Sequence, residues 1–433
     1  MKASIPKGTR DFSPEQVLKR NYIFNTLKRV FVKYGYQPIE TPTMENLSTL
    51  TGKYGEEGDQ LLFKVLNNGD FLRKADEQAL EAKNSAKLVP SISKRGLRYD
   101  LTVPFARYVV MHQNDISFPF KRYQIQPVWR ADRPQKGRYQ EFYQCDVDVV
   151  GSNSLMYEAE LVQIFDEVFA ALKVNTCIKI NNRKILEGMA EVAGIKDQFM
   201  IMTIAIDKLD KIGLDGVKDI LRKKDISEVS IQKVEELLLV TDLASLKVLF
   251  AKTEIGKKGI EELEAFHSYF DLGQCTNEVK FDITLARGLS YYTGCIIEVA
   301  AKDYEIGSIG GGGRYDDLTG NFGLKGVSGV GVSFGAARIF DVMEALGLFP
   351  ETANEQLTVL LVAFDDTTHH YAFKCLSALR AAGINSELYP SPTKLKKQMK
   401  YANDRKVAYT IVIGSEEMEK ELLSLKDMTS GEQ

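Results

Sequence analysis

Two strand-like segments separated by a cationic loop constrain the fold of this chain most strongly. Residues 120–130 have the sequence FKRYQIQPVWR, and residues 139–150 have the sequence YQEFYQCDVDVV. Both alternate with a period of two, which places successive side chains on opposite faces of a β-strand. The loop between them contains Pro134 and Gly137, residue types that favour turns. The pattern therefore predicts an antiparallel hairpin with an unusually long tip.

The tip of this hairpin is strongly cationic. Its basic residues are Arg130, Arg133, Lys136 and Arg138. Guanidinium groups form bidentate bonds to phosphate, and glycine lets the backbone approach a ligand, so the tip suits a triphosphate. A solvated, charged turn is the alternative. Arg130 favours a pocket, because it shares a strand face with Gln124 and Gln126, and a covered polar face needs hydrogen-bond partners.

The returning strand places acids on one face. Gln144, Asp146 and Asp148 alternate there with apolar residues, a pattern that a half-exposed strand would explain equally well. A second segment shows the same polar alternation, at Arg98, Asp100 and Thr102. Two strands that present carboxylates predict a pocket for a cationic or donor-rich small molecule, such as one with an amino group.

Length, charge and cysteine usage narrow the class of protein. With 433 residues the chain can bury the cores of two or three domains. A net charge of −3 creates no global basic field, so local patches must hold any anionic partner. The five cysteines lack CxxC spacing, which is typical of reduced thiols in a cytoplasmic protein. Because neither a signal-peptide pattern nor an apolar run of membrane-spanning length occurs, we expect no membrane partner.

The amino-acid composition and the pattern of apolar residues change twice along the chain. From about residue 183 to residue 270 it is rich in Lys, Glu and Leu and poorer in aromatic residues than the rest of the chain, which predicts an inserted helical domain. Residues 347–356, GLFPETANEQ, indicate a linker. Strand-like and helix-like segments alternate after it, as is typical of a small α/β domain.

Three further segments contain candidate site residues. LARGLSYYTG, residues 285–294, supplies Arg287, Tyr291 and Tyr292, although tyrosines are more often core residues. IGGGGRYDDL, residues 309–318, lacks the spacing of a P-loop, and no GxGxxG joins a strand to a helix, so both of those phosphate sites are excluded. Its glycines indicate close packing against a ligand or a neighbouring strand. Arg338 begins a helix after GVSFGAA, where it faces either a phosphate or solvent.

Taken together and in this order, these segments resemble the motifs of class II aminoacyl-tRNA synthetases, and specifically the histidyl-tRNA synthetase family. IETPTMEN, residues 39–46, resembles motif 1, the dimer-interface strand. Residues 120–151 resemble motif 2, and GVGVSFGAARIF, residues 329–340, resembles motif 3. LARGLSYYTG and GGGGRYDDL are similar to the two peptides that mark the histidine family within the class. The resemblance covers essentially the whole chain.

The resemblance implies an α+β catalytic core with a mixed, mainly antiparallel sheet flanked by helices. It also implies an inserted helical domain and a C-terminal α/β anticodon-binding domain, which we expect to be shortened because relatives continue through a final helix. The domains expected are residues 1–182 for the first part of the core, 183–275 for the insertion, 276–345 for the second part of the core, 346–355 for a linker and 356–433 for the anticodon-binding domain.

The function implied is that of a histidine–tRNA ligase. Such an enzyme activates histidine with ATP to histidyl-adenylate and pyrophosphate, then transfers histidine to the 3′-terminal adenosine of tRNA(His). ATP is therefore expected as a substrate, with Mg²⁺ bound to it through ligands that the sequence leaves open. A cytoplasmic homodimer that associates through motif 1 is also implied. The alternative is a non-catalytic relative, either a regulatory subunit of ATP phosphoribosyltransferase or a sensor of tRNA.

The resemblance also assigns roles to individual residues. Arg287 and Arg130 are the expected catalytic residues. Histidine binding is expected from Asp100, Leu101, Thr102, Arg130, Gln144, Asp148, Arg287, Tyr291, Tyr292 and Tyr315. ATP binding is expected from Arg130, Asp132, Arg138, Phe142 and Arg338. Contacts to tRNA are expected from a lysine-rich helix with Lys394, Lys396, Lys397, Lys400 and Lys406, whose alternative is a solvated helix face.

Overall fold

The computed structural model describes residues 2–52, 55–135, 137–286, 292–350 and 357–433. The chain divides into two compact units, residues 1–349 and residues 350–433. The domain boundaries expected from the sequence stay a prediction. No helix within the described residues combines the length and the apolar character needed to cross a membrane.

The first unit contains most of the helices and strands. It begins with α1 (Pro14–Lys33), β1 (Gln37–Pro38), β2 (Met44–Asn46), α2 (Leu47–Leu50), α3 (Gly55–Gln60), β3 (Lys64–Val65), α4 (Glu77–Glu81), α5 (Ser85–Ile92), β4 (Arg95–Leu97), α6 (Thr102–Met111), β5 (Phe120–Trp129) and β6 (Glu141–Val150). It continues with α7 (Met156–Ala171), β7 (Thr176–Asn182), α8 (Arg183–Val192), α9 (Phe199–Ile206), α10 (Leu209–Arg222), α11 (Glu228–Leu238), α12 (Leu243–Leu249), α13 (Glu254–Phe270), β8 (Glu278–Phe281), β9 (Cys295–Ala301), β10 (Ser308–Tyr315), β11 (Gly329–Gly335) and α14 (Ala336–Ala345).

A central sheet organises this unit. Its strand order is β1-β5-β6-β11-β10-β9-β7-β8, and a smaller sheet has the order β2-β4-β3. In the central sheet β1 is parallel to β5 and β7 is parallel to β8, while every other neighbouring pair is antiparallel. The mixed, mainly antiparallel sheet is therefore confirmed, and so is the hairpin of β5 and β6.

The two faces of this sheet have opposite character because its strands alternate. Val147 and Val149 of β6 belong to the hydrophobic core, together with residues of α1 and α7. Phe334 of β11 lies at the centre of that core, with ring centroids 5.6 Å from Phe31 and 4.5 Å from Phe165. The opposite face of the same strands is polar. The helices therefore cover the apolar face, and the polar face is left for the candidate site.

The glycine run of IGGGGRYDDL forms β10, a strand inside the central sheet. A Cβ atom added to Gly310 would lie 2.6 Å from the ring of Phe165, and one added to Gly312 would lie 2.1 Å from the carbonyl oxygen of Gly331. Contacts this short exclude a larger side chain. The predicted close packing against a neighbouring strand is confirmed.

The predicted alternation of Arg98, Asp100 and Thr102 on one strand is wrong. β4 ends at Leu97 and α6 begins at Thr102. The carboxylate of Asp100 accepts a hydrogen bond from the Val103 amide, a local bond that competes with a strand and starts the helix. Arg98 is fully buried and donates to the carbonyl oxygens of Pro127 and Thr41, so it braces neighbouring segments.

The predicted helical insertion corresponds to α8 through α13. Its helices bury one apolar face, as shown by Leu237 and Leu238 of α11 and Leu263 of α13. Gly188 lets α8 approach the start of α13 closely, because a Cβ added there would lie 2.7 Å from the Cα of Gly256. The insertion shares the hydrophobic core of the first unit.

The second unit is a small α/β domain, as predicted. Its elements are β12 (Val359–Ala363), α15 (Asp366–Ala381), β13 (Ser386–Leu388), α16 (Leu395–Asp404), β14 (Tyr409–Ile413), α17 (Ser415–Lys420) and β15 (Ser424–Asp427). The strand order is β13-β12-β14-β15. One face of β12 packs with residues of α15, and the other face packs with residues of α16. Because both faces are covered, β12 is apolar throughout.

A buried ion pair ties β10 to α7. The guanidinium of Arg314 donates to both carboxylate oxygens of Glu158, at 2.5 and 2.8 Å. It also donates to the hydroxyl of Ser328 at 2.6 Å. The side chain of Glu158 is fully buried and that of Arg314 nearly so, which makes this pair unlike the exposed pairs of the surface.

We predict that Glu158→Gln lowers the free energy of unfolding by about 3 kcal/mol, because it removes the buried carboxylate that contacts the Arg314 guanidinium and leaves only Asp316, at 4.0 Å, among the described residues. Urea unfolding followed by the fluorescence of Trp129, the single tryptophan, measures this change. The matched control is Glu344→Gln, which removes a half-exposed carboxylate from Lys19 while Glu15 stays paired with that lysine, and it should change stability by less than about 1 kcal/mol. Equal losses for the two variants would contradict the prediction.

Candidate active site

Three rungs of polar residues cross the polar face of the central sheet. Each rung joins facing residues of β5, β6 and β11. The rungs are Arg122–Asp148–Gly331, Gln124–Asp146–Ser333 and Gln126–Gln144–Gly335. Because a β-strand repeats every two residues, all three rungs point to the same side. The register therefore gathers an arginine, two aspartates and several amides on one surface.

A cavity of about 300 Å³, here called the cationic cavity, lies at one end of this surface. It is lined by Arg130, Asp132, Gly137, Arg138, Tyr139, Phe142, Gln144, Ser308, Ile309, Gly310, Gly311, Ser333, Gly335, Ala337 and Arg338. Three guanidinium groups against one carboxylate give it a positive lining. Its volume falls at the lower end of the range for small-molecule sites.

A smaller cavity of about 60 Å³, here called the acidic cavity, adjoins the first. It is lined by Asp100, Thr102, Arg130, Gln144, Asp146, Asp148, Tyr292, Gly311, Tyr315, Gly331, Val332 and Ser333. Three carboxylates face it. Arg130, Gln144, Gly311 and Ser333 line both cavities and so form a shared wall.

Two arginines of the cationic cavity are held in place by backbone carbonyls. Arg338 of α14 donates to the carbonyl oxygens of Gly137 at 3.0 Å and Ser308 at 2.5 Å. Gly137 has φ +72°, a left-handed conformation that glycine adopts readily, and its turn aims this carbonyl at Arg338. Arg130 donates to the carbonyl oxygen of Tyr99 at 3.1 Å. These bonds fix the guanidiniums before a ligand arrives.

The remaining contacts of the cationic cavity involve rings and one acid. The guanidinium of Arg130 lies 4.2 Å from the ring centroid of Tyr99 and 5.3 Å from that of Phe142. Arg138 is exposed and lies 3.6 Å from a carboxylate oxygen of Asp132. Arg138 is therefore less restrained than Arg130 and can reach into the cavity from the hairpin tip.

Asp148 is held by two groups beneath the acidic cavity. The hydroxyl of Tyr315 donates to its Oδ1 at 2.7 Å, and the guanidinium of Arg122 lies 2.9 Å from its Oδ2. Arg122 is itself fully buried, 4.2 Å from the ring centroid of Phe105. Burial raises the pKa of Asp148, while the Arg122 charge and the Tyr315 hydroxyl act in the opposite direction.

Asp146 is the second aspartate of β6 that faces the acidic cavity. Burial raises its pKa to about 7; the carboxylate of Asp148 adds to the rise, and the guanidinium of Arg122 opposes it. The amide of Gln144 lies 3.5 Å from Asp146 and 3.3 Å from the hydroxyl of Ser333. Burial therefore favours the neutral form of Asp146 in the empty cavity.

The structure brings most of the predicted site residues together. Those on the acidic cavity are Asp100, Thr102, Arg130, Gln144, Asp148, Tyr292 and Tyr315. Those on the cationic cavity are Arg130, Asp132, Arg138, Phe142 and Arg338. Leu101 is fully buried and lines neither cavity. Arg287 and Tyr291 lie outside the described residues.

Sequence reasoning assigned no role to several residues at the site, among them Arg122, Asp146, Ser333 and Gly331. The signal for Arg122 was present, because it precedes Gln124 and Gln126 on the same strand face. Asp146 belonged to the polar alternation of β6 but received no role. Ser333 and Gly331 face the site only through the pairing of β11 with β6, which the sequence does not reveal.

The lysines predicted to contact tRNA lie on or beside α16 of the second unit. Lys394, Lys396, Lys397, Lys400 and Lys406 are all exposed. Within the described part of the chain none of them forms an ion pair, whereas the neighbouring Arg405 lies 3.6 Å from Glu387. Five ammonium groups are therefore left to attract an anionic partner.

Comparisons with known proteins agree on one family. The sequence matches the histidyl-tRNA synthetase family over residues 8–72 and 66–339, and an anticodon-binding domain over residues 356–433. It is 56% identical over 437 residues to the histidine–tRNA ligase of Phocaeicola vulgatus and 56% identical over 440 residues to that of Christiangramia forsetii, covering 100% of this chain and 96% of each relative. The crystal structure of histidyl-tRNA synthetase from Nostoc sp. PCC 7120 is 31% identical, with a TM-score of 0.84 over 100% of this chain and 96% of that chain.

The site geometry predicts the effect of one added methyl group. A Cβ at Gly331 would lie 1.9 Å from Oδ1 of Asp148, so Gly331→Ala must displace that carboxylate from the Tyr315 hydroxyl. We expect a loss of about 1–3 kcal/mol in the free energy of unfolding, measured in urea. The control is Gly335→Ala on the same strand, where the nearest atom lies 3.2 Å away and the loss should be smaller. Similar losses at both positions would refute the crowding of Asp148.

Proposed function

The chain belongs to the histidyl-tRNA synthetase family and acts as a histidine–tRNA ligase, and from that premise we propose that the two cavities divide the substrates of the first step. The cationic cavity takes ATP, and the acidic cavity takes histidine. The observation that carries this proposal is the shared wall, because Arg130 lines both cavities. A residue in that position contacts the histidine carboxylate on one side and the α-phosphate on the other.

The first step requires two anions to meet. An oxygen of the histidine carboxylate attacks the α-phosphorus of ATP, a new C–O–P linkage forms, and the bond to the pyrophosphate leaving group breaks. Such a reaction depends on positioning and on charge stabilisation more than on a side-chain base. Arg130 supplies one fixed cation at the meeting point. Arg287, by family resemblance, supplies a second at the α-phosphorus.

Recognition of histidine uses the acids and tyrosines of the smaller cavity. Asp148 and Tyr292 bond the two imidazole nitrogens, while Asp100 and Thr102 bond the amino group. Gln144 lies nearby, and its buried Oε1 has no hydrogen-bond partner within the described residues. Tyr315 and Tyr291 wall the pocket. A site that bonds both nitrogens rejects analogues that lack them by a factor of about 10⁴, because its own buried polar groups would be left unpaired.

Recognition of ATP uses the hairpin tip and α14. Arg138 reaches the distal phosphates from its exposed position, and Arg338 faces the triphosphate from a fixed one. Phe142 stacks on adenine. The ring of Phe142 lies near the guanidinium of Arg130. Phe142 therefore places the adenine base close to the residue that contacts the α-phosphate.

Mg²⁺ is expected to arrive with ATP. Among the described residues, no group of three or more His, Cys, Asp or Glu side chains is placed to hold a metal ion. Mg²⁺ at nucleotide sites typically uses one or two carboxylates together with phosphates and waters, so a single acid suffices. Asp132 supplies a carboxylate to the cationic cavity and is the proposed protein ligand. The bound ion would neutralise part of the phosphate charge.

The second step transfers histidine to tRNA. A ribose hydroxyl of the terminal adenosine attacks the activated carboxyl, and AMP leaves. We assign anticodon contact to the second unit, in which the exposed lysines of α16 attract the RNA backbone.

Assembly and location complete the proposal. We assign a homodimer to the motif 1-like residues 39–46, which follow β1, an edge strand of the central sheet that a partner can cover. Sedimentation equilibrium of the full chain measures this state. The five cysteines are free thiols, which suits the reducing cytoplasm.

The division of the substrates predicts opposite kinetic effects for two variants. Asp148→Asn should raise the KM for histidine about 10- to 100-fold with little change for ATP, because it removes the charge on an imidazole contact. Arg338→Ala should raise the KM for ATP by a similar factor with little change for histidine. Histidine-dependent exchange of pyrophosphate into ATP measures both constants, and each variant serves as the control for the other.

Two outcomes would contradict this division of substrates. If the KM for histidine and the KM for ATP rise by comparable factors in both variants, the two cavities do not bind separate substrates. A folded wild-type protein without histidine-dependent exchange would leave the regulatory role as the surviving interpretation.

The lysines of α16 predict a change in salt dependence. Lys396 and Lys400 lie four residues apart and share a helix face. Replacing both with Gln should lower the slope of log affinity for tRNA against log salt by about 1 to 2. The control is Lys420→Gln, because Lys420 already pairs with Glu416 and its loss should leave the slope unchanged. Filter binding across a salt series measures both; identical slopes for all three proteins would exclude α16 from the tRNA surface.

A further inference from the structure

Asp146 lines the acidic cavity, yet the proposed function gives it no role. It lies on β6 between Gln144 and Asp148, at the middle rung of the polar face. Only 2% of its surface is exposed, and its side chain lines the acidic cavity. A buried carboxylate without a charge partner is costly, so its presence on a ligand cavity calls for an explanation.

The groups around Asp146 come from four elements. They are Arg122 and Gln124 of β5, Gln144 and Asp148 of β6, Ser333 of β11, and Asp100 of the turn before α6. Arg130 closes the cavity on the side of the shared wall, and Tyr292 and Tyr315 line it.

Asp146 and Asp148 differ in their charge partners within the described residues. Arg122 lies beneath the cavity, and its ion pair at 2.9 Å is with Asp148. Within the described residues, Asp146 itself forms no ion pair at all. Arg130 faces the phosphate and the carboxylate in the proposed reaction. Asp146 therefore faces the cavity as a buried carboxylate that has no ion-pair partner within the described residues.

A ligand that brings a positive charge would compensate the carboxylate of Asp146. Histidine carries an ammonium group, which stabilises a nearby carboxylate in its ionised form. The hydroxyl of Ser333 acts in the same direction, since it bonds the ionised carboxylate and lowers the pKa of Asp146. Asp100 supplies one carboxylate for the ammonium, and Asp146 faces the same small volume.

We propose that Asp146 is a further binding residue for the amino group of histidine, and that it ionises when the ammonium arrives. In the empty site the carboxylic acid holds a proton in part of the molecules. Binding transfers that proton to solvent, and a carboxylate–ammonium contact forms in its place. The inference rests on the proposed assignment of histidine to the acidic cavity.

The direction of the pH dependence follows from the raised pKa. A carboxyl group with a pKa near 7 is mostly ionised at pH 8 and mostly neutral at pH 6. Histidine should therefore bind the wild-type protein more tightly as pH rises through 7. The imidazole of histidine also titrates in this range, but it does so equally for every variant, so the ratio of wild-type to variant affinity isolates Asp146.

The experiment is calorimetric titration of the full-length protein with histidine at pH 6, 7 and 8, in buffers of different ionisation enthalpy. Asp146→Asn should bind histidine more weakly at pH 8, and this deficit should be about tenfold smaller at pH 6. The wild type should release about half a proton more than the variant at pH 7. Imidazolepropionate, which lacks the amino group, should show neither effect. An equal deficit at all pH values with equal proton release would mean a structural role and overturn the inference.

Ser333→Ala tests the same idea without altering Asp146. Loss of the hydroxyl removes a bond to the ionised carboxylate, so the pH at which affinity rises should move upward. An unmoved midpoint would also overturn the inference.

Asp148→Asn distinguishes failure of this inference from failure of the proposed function. If Asp148→Asn and Asp146→Asn both leave histidine binding unchanged, the acidic cavity is not the histidine site. If Asp148→Asn weakens histidine binding while Asp146→Asn has no effect, the result contradicts the proposed role of Asp146 but not the assignment of histidine to the acidic cavity.

Discussion

A buried ion pair between neighbouring strands determines what the polar face of the central sheet can bind. Arg122 and Asp148 are both almost completely buried, and their charged groups lie 2.9 Å apart. Taking charges out of water costs several kcal/mol per ion, which only close pairing and further hydrogen bonds can offset. Arg122 forms its ion pair with Asp148, whereas Asp146 has no ion pair within the described residues. In the proposed scheme, a cationic ligand compensates the carboxylate of Asp146.

Side chains alternate along the strands of this sheet, so one face packs against the helices and the other carries the charged groups of the site. Val147 and Val149 face the helices, while Asp146 and Asp148 face the cavities, and a register slip of one residue would exchange them. Glycines on β10 and β11 make room on the functional side, since Gly331 faces the carboxylate of Asp148 directly. Apolar packing of one face therefore fixes the positions of the charged groups on the other.

The parts of this arrangement that depend on local pattern could be predicted from the sequence. The alternation of β5 and β6 predicted the hairpin and the common face of Gln144, Asp146 and Asp148. The small α/β domain followed from its alternating segments. Residues 98–102 show where local pattern fails, since a hydrogen bond to the Asp100 carboxylate starts a helix where alternation suggested a strand.

Long-range pairing lies beyond such reasoning. The glycine run was identified as a segment of close packing, but its place inside the central sheet depends on strands far away in the chain. The contribution of Ser333 likewise depends on the register between β11 and β6. The alternation places Arg122 on the face of Gln124 and Gln126, but its pairing with Asp148, 26 positions later, depends on the register between β5 and β6. The role of a buried charge becomes visible only together with its neighbours.

The shared wall explains how cavities of opposite charge can serve one reaction. Two unit charges 4 Å apart interact by about 4 kcal/mol at an effective dielectric constant of 20, so a carboxylate and a phosphate need a cation beside them before they can react. Arg130 is fixed there by the Tyr99 carbonyl and needs little reorganisation as charge shifts. Ionised acids in an empty histidine site would repel ATP as well. In the proposed scheme, a partly protonated Asp146 weakens that repulsion until the ammonium of histidine arrives to compensate the charge.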